Sequence, residues 1–143
     1  MDHETITGLN KVREILANKK YSVVIIKNGE IIEKKKGKGL SPLLGIVEEK
    51  SREIKNSVVG DMTLGKASAM LCSYAGVKAV YSPKATKKAI ALLITQNIPV
   101  QVDKIVPYIK NSEGNDICPF EKILENIDSP SEAYEVIKKK IKV

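Results

Sequence analysis

The sequence has no tryptophan, one phenylalanine and five tyrosines, so its core must be built almost wholly from aliphatic side chains. It has a single histidine, His3, placed in a polar, acidic N-terminus. A Cys-His pair or a Ser-His-Asp triad is excluded on that ground, because both need an imidazole held inside a site. The two cysteines, Cys72 and Cys118, are far apart and lack CxxC spacing, and they read as free thiols in a reducing compartment. Arg13 and Arg52 are the only arginines, so the net charge of +7 is carried by lysine. Nucleic-acid binders lean on arginine and on interleaved aromatics, so nucleic acid has little support as a partner, and the Lys34-Lys35-Lys36 and Lys138-Lys139-Lys140 runs read as solvated faces. The longest apolar run, Ala89 to Ile94, is far below the roughly 18 residues that would suggest a membrane span. The expectation is a soluble, cytoplasmic protein with no membrane partner.

What is present is a chain of 143 residues, 43% hydrophobic and 29% charged, which suits one globular domain over residues 1–143. Its core is expected over about 5–127, with a C-terminal helix over 130–141. Thr5 is a plausible cap for a first amphipathic helix to about Asn18. YSVVIIK reads as a buried strand, and Asn28-Gly29 as a type I′ hairpin turn into EIIEKKK, whose lysines suit a sheet edge. GKGLSP breaks that strand and opens a helix to about Lys50, with Ser41 as its cap and Pro42 in its first turn. Val58 to Gly60 is a third strand. A helix with Ala67, Met70, Leu71 and Tyr74 on its apolar stripe follows and ends at Gly76. VKAVYS, a helix over Lys84 to Asn97, and PVQVDK come next. A polar loop from Val106 to Asp116 leads to a helix opened by Pro119 and a last helix from Glu132 to Ile141. The order α-β-β-α-β-α-β-α-β plus C-terminal helices predicts a mixed five-stranded sheet with helices on both faces.

Gly60-Asp-Met-Thr-Leu-Gly65-Lys66 fits the GxxxxGK spacing of a P-loop, between a strand and a helix. Position 67 is Ala, where a P-loop needs the hydroxyl that holds magnesium, so nucleoside-triphosphate hydrolysis is not the expectation. The turn still aims backbone N–H groups and an ammonium at one point, which suits an anion or a reacting oxygen. Lys66 in the first turn opposes the helix dipole by about 0.3–1 kcal/mol, and an anion would reverse that sign. Asp61 is an alternative source of negative charge, as an ion pair with Lys66. Cys118-Pro119-Phe120-Glu121 sets a thiol at a helix N-terminus, where thiolate is favoured, with a carboxylate three residues on. A capping Glu121 and an inert, buried Cys118 are the structural alternative. Cys72 reads as a core residue.

Taken together, Asp61, the Gly65-Lys66-Ala67 helix start, the strand exit at Tyr81-Ser82, the Asn111 loop and Cys118-Pro119-x-Glu121 resemble a small domain-of-unknown-function family of bacteria and archaea. The resemblance spans Tyr21 to about Ile123. It implies a cytidine-deaminase-like fold, a three-layer α-β-α sandwich. In zinc deaminases the metal ligands lie at the starts of the helices after strands two and three, in H-x-E and P-C-x-x-C motifs. The corresponding stretches here, Gly37 to Pro42 and Asp61 to Lys66, contain no such ligands, so no metal and no other cofactor is expected.

The resemblance then implies an electropositive pocket at two helix N-termini that takes a small anionic or nucleotide-like ligand. Its binding residues would be Lys38, Gly39, Ser41, Gly65, Lys66, Ser82 and Asn111. Asp61, Lys66, Cys118 and Glu121 would carry any chemistry, with Asp61 either orienting Lys66 or acting as a base. Two other functions stay open: a non-catalytic regulatory module whose lysine face meets RNA or an acidic protein, and a metalloenzyme with Asp61, Cys118 and Glu121 as unconventional ligands. Whether the chain is an enzyme, and whether it forms a homo-oligomer, is left open by the sequence.

Overall fold

The structure, a computed structural model, describes residues 1–110 and 116–142. A five-stranded mixed sheet in the order β2-β1-β3-β4-β5 forms its middle layer. The hairpin β1 (Val23–Lys27) and β2 (Glu30–Lys35) turns at Asn28 and Gly29, whose φ angles of 52° and 80° are what a type I′ turn requires. β1 also pairs antiparallel with β3 (Val58–Asp61), which is parallel to β4 (Ala79–Ala85), itself parallel to β5 (Val100–Ile105). The lysine-bearing β2 forms one edge, as its composition predicts.

Alternation along the strands divides the apolar residues between two cores. Val24, Ile26, Val58, Ala79 and Tyr81 face α1 (His3–Leu16), which meets them with Leu9, Val12 and Leu16. Val23, Ile25, Val59 and Val80 face the opposite layer of α2 (Ser41–Glu49), α4 (Lys66–Ala75) and α5 (Lys87–Thr95). The long α7 (Pro130–Lys142) packs on α4, burying Ala133 and Ile137. Two short helices, α3 (Ser51–Ile54) and α6 (Pro119–Ile123), complete the chain. This is the expected three-layer sandwich.

Several local expectations are corrected. Asp2, not Thr5, caps α1, its Oδ1 accepting from Thr5 N–H at 2.7 Å. Leu40 stands at the N-cap of α2 with no side-chain cap, and Ser41 is the first helical residue. α5 starts at Lys87 behind a Thr86 cap, because Lys84 and Ala85 are held in β4. Tyr74 is 44% exposed and leaves the apolar stripe to stack on Tyr134, ring centroids 4.2 Å apart.

The approach of α1 to β3 depends on two glycines. A Cβ on Gly60 would lie 2.9 Å from both Val12 Cβ and Leu16 Cδ1, and one on Gly8 would lie 2.9 Å from Val58 Cγ2. Gly60→Ala should therefore lower stability in urea unfolding by about 1–3 kcal/mol, through displacement of a buried helix. An unchanged midpoint would show that α1 is loosely seated.

Candidate functional site

A cleft of about 1010 Å³ opens at the carboxyl ends of the parallel strands, between the amino ends of α2 and α4, with the chain after β5 and the start of α6 as its far wall. That is the end of an open α/β sheet where ligands generally sit. Asp61 is at its floor because Val59, two residues earlier on β3, already faces the α2/α4 layer. Asp61 is 6% exposed, and Ser68 with the Met62 and Thr63 backbone near it favours the charged form, although Met62 N–H itself donates to Ser22 O at 3.0 Å. Burial outweighs that effect and pushes its pKa up to about 7. Ser68, read from sequence only as facing away from the P-loop position, is a partner of this acid.

The Gly-Lys turn and the Cys-Pro-x-Glu segment meet. Glu121 Oε1 accepts from Lys66 N–H at 2.9 Å, a contact between residues 55 apart in sequence that caps α4 with a carboxylate. Gly65 makes room for it: a Cβ there would fall 1.7 Å from Glu121 Oε1 and 2.9 Å from Ile109 Cγ1. Burial raises the Glu121 pKa against the two backbone N–H groups and the Lys66 and Lys88 charges that lower it. Its Oε2 is buried with no hydrogen-bond partner. Lys66 turns out of the cleft, its Nζ donating to Glu125 O at 3.3 Å and pairing with Asp128 at 3.5 Å. The anion at this helix end is therefore the chain's own Glu121. Lys66 is an anchor for the segment that carries it, and it is not paired with Asp61.

Of the other expected site residues, Lys38, Gly39, Ser41, Gly65, Cys118 and Glu121 line the cleft with Asp61. Ser82 does not. It is fully buried, and its Oγ donates to Lys84 O at 2.7 Å and accepts from Lys84 N–H at 3.3 Å. Tyr81 faces α1, where its hydroxyl donates to Asp103 beneath the Arg13 guanidinium. Burial and that carboxylate push its pKa up to about 12. Cys118 is half-buried, and desolvation together with Glu121 raises its thiol pKa, against the depression expected at a helix start. Asn111 lies outside the described residues.

Sequence reasoning missed Lys84, Lys104, Lys110, Tyr21, Tyr108 and Phe120, all of which line the cleft. Lys84 was hidden by its assignment to a helix. The pairing of Leu64 with Ala85, through Leu64 N–H to Lys84 O at 2.9 Å and Thr86 N–H to Leu64 O at 3.0 Å, extends β4 past Pro83.

The donor set does not fit a deaminase zinc ion. The α2 and α4 starts offer no histidine or cysteine, and the end of α4 that faces the cleft is filled by Glu121. Among the described residues no three His, Cys, Asp or Glu side chains gather as a metal site, so Asp61, Cys118 and Glu121 do not form the alternative ligand set. Among the same residues no helix is long and apolar enough to cross a membrane.

A family model described as TM1506, domain of unknown function (DUF1893), matches residues 11–141. A DUF1893 family protein (TM1506) from Thermotoga maritima superposes with a TM-score of 0.84 at 22% identity, over 98% of this chain and 92% of that one. RibD from Acinetobacter baumannii, a deaminase-fold protein, superposes in two forms, each with a TM-score of 0.52 at 15% identity, over 70% of this chain and 36% of the other. These likenesses establish a deaminase-like fold. No curated protein matches the chain in sequence.

Two outcomes follow from the geometry. Asp61 has a folded pKa of about 7 against 3.8 unfolded, so the folded state holds the extra proton between those values and stability falls as pH rises through them. Asp61→Asn should therefore match the wild type near pH 4 and exceed it at pH 8 by about 2–4 kcal/mol in urea unfolding. A constant difference across that range would place the carboxylate in contact with water. Gly65→Ala should displace the flexible end of Glu121 rather than distort the backbone, costing about 1.5–3 kcal/mol for the lost charged hydrogen bond. Faster amide exchange at Lys66 and Leu124 is the expected signature, and unchanged exchange would refute the Glu121 cap.

Proposed function

The chain belongs to the DUF1893 family, and we propose that its deaminase-like fold serves to bind a small anionic, nucleotide-like ligand in the cleft above Asp61. The observation that carries this reading is a buried carboxyl with a pKa of about 7 at the floor of a cleft whose lining includes six lysines. Lys38, Lys84, Lys104 and Lys110 suit the anionic part, and Tyr21, Tyr108 and Phe120 offer flat apolar surface to a ring. Asp61 is the group able to take or give a proton near neutral pH, whereas the raised thiol of Cys118 makes it a poor nucleophile. Lys66 serves indirectly, by holding the Glu121 segment against α4. The reading is one of binding, and a cytoplasmic setting accords with two free cysteines.

A thermal-shift series of nucleotides and sugar phosphates at low ionic strength tests it. A ligand at one hundred times its Kd should add about 2.7 kcal/mol to the stability of the wild type. Lys38→Glu, in the cleft, should lose that gain, while Lys138→Glu, on α7, should keep it. If no compound stabilises the protein, the reading fails. Equal losses in both variants would move function to the lysine-rich surface, where RNA or an acidic protein would be the partner.

A further inference from the structure

Lys84 and Lys104 are register partners on the neighbouring parallel strands β4 and β5. Partners in register lie about 4.8 Å apart along the hydrogen-bonding direction and project to the same face of the sheet. Both line the cleft, both are exposed, and neither forms an ion pair among the described residues. Like charges facing each other across strands repel, so this pair costs stability in the free protein. The adjacent Asp103 cannot relieve it. It projects to the α1 face, where it pairs with Arg13 at 2.9 Å and accepts from Tyr81. Nor do the carboxyls of the cleft pair with the two lysines: Asp61 is buried beside Ser68, and Glu121 is held through Oε1 at the start of α4.

Resting on the ligand reading above, we infer that Lys84 and Lys104 clamp one phosphate group, and that the ligand carries a chain of two or more phosphoryl groups. Two ammonium groups side by side at the carboxyl ends of parallel strands suit an oxyanion shared between them. Of the four lysines that remain in the lining, Lys19, Lys20, Lys38 and Lys110, two set the length of the anion. Lys38 stands on the approach to α2 and Lys110 on the chain beyond β5, both lining the same cleft. One phosphate held between Lys84 and Lys104 leaves those charges unanswered, whereas a di- or triphosphate reaches outward to them.

Titration calorimetry with orthophosphate, pyrophosphate, tripolyphosphate, AMP and ATP tests the clamp. Affinity should rise about tenfold with each added phosphoryl group and fall steeply with salt. Lys84→Met and Lys104→Met should each weaken tripolyphosphate about tenfold, and the double variant should lose less than the product of the two, since both act on one group. Without ligand, the double variant should melt above the wild type, because the repulsion is gone. AMP binding as tightly as ATP, or affinity unmoved in both single variants, would overturn the clamp and leave the cleft reading standing. Failure of every phosphate compound to bind would overturn both. A double variant that melts below the wild type would overturn the clamp in favour of a packing role for the two side chains.

Discussion

The Glu121 carboxylate at the amino end of α4 is the contact on which the rest of the site depends. It ties Pro119–Ile123 to α4 and so fixes one wall of the cleft. The helix start it caps also carries Ser68, the hydroxyl that meets Asp61 at the floor. α6 has no fully buried residue of its own, so a charged hydrogen bond, the Lys66 anchor and the glycine that admits them hold the wall together with Phe120 and Leu124, which pack on the main core. Geometry that in a P-loop faces a phosphate is here satisfied from within the chain, and the positive charge of the cleft lies instead on lysines such as Lys84 and Lys104 at the strand ends.

Opposite environments separate the charges of the site. Desolvation raises the pKa of both Asp61 and Glu121, Asp61 to about 7, which weakens their opposition to the lysines around the cavity. The protein thus tolerates both a buried acid and adjacent ammonium groups at this one end of the sheet. At the other face of the same strands, Arg13, Asp103 and Tyr81 satisfy one another.

The element order, the Asn28-Gly29 hairpin, the lysine edge and the deaminase-like sandwich were all legible in the sequence, because local turn chemistry and alternation dictate them. Asp61, Lys38, Gly39, Ser41, Gly65, Cys118 and Glu121, drawn together from the sequence, line one cleft. The direction of long side chains was not legible. Lys66 reaches for Glu125 and Asp128 on a segment whose path no periodicity reveals, and Tyr81 turns to α1 by strand parity. Ser82 sits beside the site in sequence yet spends its hydroxyl on Lys84. Lys84 and Lys104 required the register of β4 against β5, a non-local pairing that continues to Ala85 and Ile105 and is flanked by the bridge from Leu64 to Ala85.

The position of β1 between β2 and β3 bears on the entropy of closing the sheet. β1 joins β2 through a two-residue turn and is antiparallel to β3, so the hairpin closes a short loop and offers its other edge as a template. β4 and β5 need helical crossovers before they can pair, and the α4 cap needs a residue 55 positions away. Loop-closure entropy orders these events. On that ground the hairpin is the least costly part of the sheet to close, and the cleft wall, which needs the α4 cap, is among the most costly. The wall of the cleft is accordingly tied to the rest of the molecule through contacts of long sequence separation.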